Sequence, residues 1–297
     1  MRQIRQCAGV ALNTGTSACP IAWGKVKGAI IVERGQKLPA SLTYDALEEL
    51  AHQPRPARIY PVKTFVEFAK EGGEMQVAAV GYGGNKASGM NALTETFTLD
   101  EFYDSLNAGI LKSSNYPFDV YFWDEKNVLY GVNDGTDVLA GIPMSTVYTT
   151  PTEHPTSSAA ATMTISFAFA DAQGFYESFD YVQMDFSLKV LGGLVEVEWA
   201  KVGDGKYKVV ERYGGYDRTP LLGDAIAKAA QTLFKPAPQS CAYADGVLTV
   251  VPAAQAAKAK AGEAADAPAE MPSIVDSAAL YAAGVKGVEF VDPKLPQ

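Results

Sequence analysis

Histidine is nearly missing from this chain: 297 residues carry two, His52 and His154, with no cysteine beside either. Tetrahedral zinc sites draw on clustered His and Cys, so this scarcity argues against a zinc centre. Cysteine is almost as scarce. Cys7, Cys19 and Cys241 are an odd number scattered over a long chain, unlike the paired framework of a small secreted module. The expected compartment is a reducing one, and each thiol reads as a small apolar residue. Positive charge is in deficit as well: the formal net charge is −9 and the sequence pI about 4.9. Binding to nucleic acid rests largely on Lys and Arg displacing counterions, so no specific nucleic-acid partner is expected. No apolar run reaches the roughly 18–20 residues that span a bilayer, so no membrane partner is expected either. The short apolar run at the N-terminus is broken by Asn13, Thr14 and Thr16, and export by the usual signal peptide is not expected.

The chemical motifs are also incomplete. Val77–Asn91, VAAVGYGGNKASGMN, is an apolar run leading into a glycine-rich loop. A phosphate loop needs Gly-Lys followed by Ser or Thr, but Asn85 precedes Lys86 and Ala87 follows it. The dinucleotide fingerprint fails at its third glycine, where Lys86 stands. A loop or hairpin is the reading that remains. No Gly-x-Ser-x-Gly elbow occurs. The stretch Asn133-Asp134-Gly135-Thr136-Asp137 resembles part of a calcium loop, but it lacks the alternating acids and the distal Glu, and reads as a turn. Carboxylates are plentiful, and a glycosidase needs only two across a cleft; abundance alone identifies none. The chain is therefore expected to carry no catalytic, cofactor or metal site and not to be an enzyme.

What the sequence does contain is strand pattern. Phe118, Val120 and Phe122 alternate with Asp119, Tyr121 and Trp123. Met163, Ile165, Phe167 and Phe169 alternate with Thr164, Ser166 and Ala168, and Val195, Val197 and Trp199 with Glu196, Glu198 and Ala200. Period two predicts sheets with one buried face. Asn133-Asp134-Gly135, Gly203-Asp204-Gly205 and Ala244-Asp245-Gly246 supply hairpin turns. An earlier strand is expected at Gly28–Glu33 and later ones at Gly246–Val251 and Val285–Val291. Helices are expected at Tyr44–His52 after a Thr43 cap, from Thr64 with Glu67 at capping-box spacing, and over Thr98–Lys112. The last would set Leu99, Phe102, Tyr103, Leu106 and Ile110 on one face. A further helix starts with Thr219 as cap and Pro220 at its first position. The fold class is α+β and β-rich: an antiparallel or mixed β-sandwich or barrel with packed helices and long loops. Residues 1–200 are expected to form the β-rich core, and 201–297 a C-terminal extension or outer module with an Ala-rich loop at 252–272. Fifteen Tyr, 13 Phe and three Trp are more than one core face accommodates under alternation, and aromatics facing outward on strands favour protein contacts.

The segments FTLDEFYDSLNAGILKSSNYPFDVYFWDEKNVLYG, DGTDVLAGIPMSTVYTTPTEHPT, FDYVQMDF and GLVEVEWAKVGDGKYKVV resemble virion structural proteins of tailed phages and prophages of Bacteroidetes-type hosts, most of all tail-tube or major tail proteins. That resemblance implies a β-sandwich or barrel with a packed helix, whose copies form rings by joining sheets while long loops lock one ring to the next. It implies a homo-oligomer that meets other virion proteins, is made in the host cytoplasm and resides in the virion, where the tube passes DNA. Candidate assembly contacts are Tyr82, Gly83, Gly84, Asn85 and Lys86 in one loop, Asp134 and Gly135 in a turn, and Pro151, His154 and Pro155 in the Thr149–Ala161 loop. A capsid-associated or decoration protein would share this profile. A carboxylate-based hydrolase and a surface-binding module are the alternatives from other classes.

Overall fold

The computed structural model describes residues 23–150, 155–157, 160–253 and 271–296. The protein is α+β and β-rich, with antiparallel and mixed sheets. It divides into two compact units, the first within residues 1–51 and 55–192 and the second within 52–54 and 193–297. A boundary at residues 200 and 201 would cut through a strand, Val195–Gly203; the chain divides instead at Gly192–Gly193.

In the first unit the elements run β1 (Val26–Glu33), α1 (Tyr44–His52), β2 (Ile59–Lys63), β3 (Phe65–Gly72), β4 (Met75–Ala78), β5 (Lys86–Met90), β6 (Leu93–Leu99) and α2 (Asp104–Ser113). They continue with β7 (Phe118–Asp124), β8 (Val128–Val132), β9 (Ile142–Thr150), β10 (Thr164–Phe169), α3 (Ala172–Ser178) and β11 (Phe179–Gln183). Strand β7 pairs with β1 along one edge. Its other edge is shared by β9, through Asp119 and Val120, and β8, through Phe122 and Trp123. From β9 the ladder continues through β10 and β6 to β3. Strand β1 also pairs with β2, and Thr64, at φ 70°, is the one residue between β2 and β3. The sheet curls into a half-barrel.

The inside of that curl is aromatic. Phe65 stacks on Phe97 at 4.6 Å between ring centroids, and Phe97 and Phe122 each meet Phe167, at 5.9 and 5.1 Å. Burying each ring contributes roughly 1.5–3 kcal/mol, before any added gain from ring geometry. The outer face of β1, β7 and β8 is buried too, with Ile30, Tyr121, Trp123 and Leu129 packed against Leu47 of α1 and Leu188 and Leu191. The alternation in β7 therefore marks two buried faces, not one. By contrast β9 alternates buried and exposed residues along its length.

Two helix expectations fail here. The segment starting at Thr64 is strand β3, with Phe65, Phe68 and Ala69 opposite Leu99, Phe97 and Thr96. The stretch Thr98–Lys112 is divided: Leu93, Phe97 and Leu99 keep strand periodicity to the end of β6, and α2 begins only at Asp104. Asp100 ends the strand by accepting from the Thr64 hydroxyl at 2.6 Å and the Tyr103 hydroxyl at 3.1 Å. Helix α2 packs through Leu106 and Ile110, leaving Phe102 and Tyr103 exposed. Helix α1 occupies its expected range, with the Thr43 hydroxyl accepting from the Ala46 amide.

The second unit comprises β12 (Val195–Gly203), β13 (Lys206–Glu211), α4 (Thr219–Leu233), β14 (Phe234–Lys235), β15 (Ser240–Ala244), β16 (Val247–Val251), β17 (Ser273–Ile274), α5 (Ser277–Ala282) and β18 (Val288–Phe290). Its main sheet has the order β15-β16-β13-β12-β18, with β18 parallel to β12. The expected turns join β12 to β13 and, at Asp245-Gly246, β15 to β16. Trp199, Tyr207 and Val209 share a core with Ile226 and Leu233 of α4. That helix lies close to the sheet at Gly223, where a Cβ would come within 2.4 Å of the Tyr243 ring. Thr219 is not the cap: the cap position is Arg218, and the buried Thr219 hydroxyl accepts instead from the Val209 amide at 2.8 Å.

In the first unit one carboxylate closes the β7–β8 turn. Asp124 is fully buried and accepts from the amides of Gly24, Lys126 and Val128 at 2.8–2.9 Å, and from the Tyr130 hydroxyl. Asp124→Ala removes the acceptor that these four donors share, a cost of about 3 kcal/mol, while Asp124→Asn keeps one acceptor oxygen and loses less. Urea unfolding in a Trp199→Phe background, where Trp23 and Trp123 of the first unit report, measures both.

Candidate functional site: an exposed hairpin arm

Strands β3 and β6 pair from Phe65–Leu99 at one end to Gly72–Leu93 at the other. Beyond that end the chain does not turn back at once. It continues into a second ladder, β4 with β5, in which Met75 opposes Met90 and Ala78 opposes Lys86. Every residue from Glu74 to Ser88 is exposed. Strand residues are normally held by burial of one face, yet here Met75, Val77, Val80 and Tyr82 all face solvent, and Tyr82 is wholly uncovered.

The base of this arm is built for a sharp change of course. Gly72 has φ 76°, and a Cβ on it would lie 1.9 Å from the Ala92 carbonyl oxygen, so only glycine fits. Asn91 clasps the other side: its Oδ1 accepts from the Glu74 amide at 2.7 Å and its Nδ2 donates to Glu74 Oε2 at 2.8 Å. The tip is a turn in which the Gly83 amide donates to the Val80 carbonyl.

Next to the base, one acid faces into the barrel. Glu95 lies on the same side of β6 as Leu93 and Phe97, between Lys70 of β3 and Phe167 of β10. Burial pushes its carboxyl up to about 7 against the opposing pull of Lys70. Lys70 donates to the Tyr176 hydroxyl of α3 at 3.2 Å and lies over that ring, which ties the barrel wall to the helix beside the arm.

The sequence-derived contacts fall in separate places. Tyr82, Gly83, Gly84, Asn85 and Lys86 form the tip and the start of β5. Asp134 and Gly135 lie in the loop between β8 and β9. There Lys37 and the Thr136 hydroxyl take up the Asp134 carboxylate and hold it at about 2, and the Gly135 amide donates to Asn133. That turn is occupied in holding its own loop. Pro155 is exposed, and Pro151 and His154 lie outside the described residues. His52 is buried in the second unit, its Nε2 accepting from the Gly287 amide at 2.8 Å. Burial pushes the Cys241 thiol up to about 11. Cys7 and Cys19 lie outside the described residues.

Neither the protein-family models nor the curated proteins match this chain.

Sequence reasoning found the tip and missed the rest of the arm. Gly72-Gly73 on one side and Asn91 on the other bracket two segments of similar length around Gly81–Gly84, the signal of a hairpin extending another hairpin. An acid between Thr94 and Thr96 reads as a solvent-facing strand residue, so the sequence alone does not mark Glu95.

Glu95 gives the barrel a pH dependence. Unfolded, it ionises near its ordinary 4.5; folded, it keeps its proton to about 7. The folded state binds more protons between those values, so stability falls as pH rises from about 4.5 to about 7 and is level above. Glu95→Gln is expected to melt higher than wild type at pH 8 and to converge with it at pH 4, as read by thermal unfolding.

Proposed function

We propose that this chain is a self-assembling virion structural protein, a tail-tube subunit whose copies form rings and whose hairpin arm reaches a neighbouring copy. The observation that carries the reading is the arm. Fifteen consecutive residues, Glu74–Ser88, are exposed, four large apolar side chains among them, in a two-stranded ladder and the turn that caps it. An apolar ladder left in water is costly and invites association, so its natural state is covered by another chain. From Met75 to Ala78 the paired ladder adds about 10 Å of reach at the usual strand rise. The resemblance of the central segments to major tail proteins supplies the assembly type. On this reading the subunit is made in the host cytoplasm and meets other virion proteins in the particle. The net charge of −9 suits a wall along which DNA passes without binding.

Replacing Met75–Met90 with an Asn-Gly turn closes the β3–β6 hairpin at the Glu74–Asn91 clasp and leaves the barrel its own pairings. Wild type is expected to form rings or tubes with a central channel in negative-stain electron microscopy as concentration rises, and the arm-deleted protein to remain small by light scattering with an unchanged far-UV spectrum. Wild type that stays monomeric at high concentration would refute the reading.

A further inference from the structure

The arm has a counterpart at the other end of its own hairpin. Where β6 ends, the chain passes through Asp100-Glu101-Phe102-Tyr103-Asp104 into α2. Phe102 and Tyr103 are exposed there, 38% and 36%, and Leu111 farther along α2 is 54% exposed. The corner is held in shape, since the Asp100 amide donates to the Thr64 carbonyl while the Asp100 carboxylate accepts from the Thr64 and Tyr103 hydroxyls. Its surface is aromatic with a carboxylate rim. The arm is the converse: between Met75 and Met90 the single charged residue is Lys86, set among exposed Val77, Val80 and Tyr82.

We propose that the arm of one copy docks on the Asp100–Asp104 corner of a second copy, Tyr82 lying against Phe102 and Tyr103 and Lys86 pairing with the Glu101 and Asp104 carboxylates. Three observations converge on a second copy of this chain as the occupant. The charges are complementary, a lone cation against three acids within five residues. Both surfaces carry exposed aromatic side chains, the type that anchors protein contacts. The third is positional. Tip and corner lie at opposite ends of one hairpin, beyond the Gly72–Leu93 pair and beyond the Phe65–Leu99 pair. A contact between two unlike surfaces of identical subunits is heterologous: it repeats from copy to copy and closes into a ring or extends as a stack. Two arms exchanged symmetrically would instead stop at a dimer.

This inference rests on the self-assembly reading and names the surface that the arm meets. The test uses the full chain, with Lys86→Glu, Glu101→Lys and the two combined; both positions are exposed, and neither side chain forms an ion pair among the described residues. Each single reversal is expected to raise the half-assembly concentration about tenfold at low salt, with light scattering as the readout and melting temperature unchanged. The double variant is expected to recover assembly. Tyr82→Ser and Phe102→Ser, read in the same assay, are each expected to weaken assembly. If wild type assembles and the arm deletion abolishes it, but the single reversals have no effect or the double variant shows no recovery, the corner is not the acceptor and only this inference falls. If wild type does not assemble, the self-assembly reading falls with it.

Discussion

Backbone pairing along both edges of β7 is the constraint on which the first unit depends. One edge is taken by β1 and the other is shared by β9, through Asp119 and Val120, and β8, through Phe122 and Trp123, so β7 is paired on both sides. Both of its faces are covered, with Val120 and Phe122 inside the curl and Tyr121 and Trp123 against the layer that includes α1. A strand so enclosed tolerates no shift of register, because a one-residue slip would exchange its two faces. Asp124 fixes that register at the turn into β8, its buried carboxylate accepting from the Lys126 and Val128 amides and the Tyr130 hydroxyl.

The arm follows from the same economy. Strands β3 and β6 fulfil their structural role once Phe65, Phe97 and Leu99 are buried. Past Gly72–Leu93 the barrel makes no further demand on the chain, and the paired segments beyond it are free to carry residues chosen for another surface. The proposed assembly uses that freedom at both ends of one hairpin, the tip with its lone lysine and the corner with its acids. The rigid part between them would set the spacing of successive copies.

Much of the architecture was legible before the structure. The turns at Gly203-Asp204-Gly205 and Asp245-Gly246 joined the strands they were expected to join, helped by positive φ at Gly205, Asp245 and Gly246. Asn133-Asp134-Gly135, by contrast, lies in a loop between β8 and β9, which pair with β7 and not as a hairpin with each other. The α1 range was legible from a cap, an apolar period and a proline stop. The failures share one cause. Thr64, Glu67 and Thr98 mimic helix-start spacing, but capping-box geometry contributes far less than the burial of Phe65 and Leu99 as cross-strand partners. Thr219 likewise gives up a cap in favour of a buried bond to β13. At the candidate site, the glycines of the tip were visible in the sequence, while Asn91, Glu95 and the exposed Phe102 and Tyr103 were not, since each takes its role from a residue far along the chain.

By itself, the sequence determined the class of fold, the places where the chain reverses, the acidic surface and the poverty of metal-binding side chains, all of which depend on residue type and short-range spacing. Tertiary structure alone decided that β7 is buried on both faces, that β3 is a strand, that Glu95 faces inward and that the arm from Glu74 to Ser88 is exposed. The physical reason is that burial belongs to the assembled sheet: alternation says which residues share a face, and only the packing of other elements says whether that face is covered.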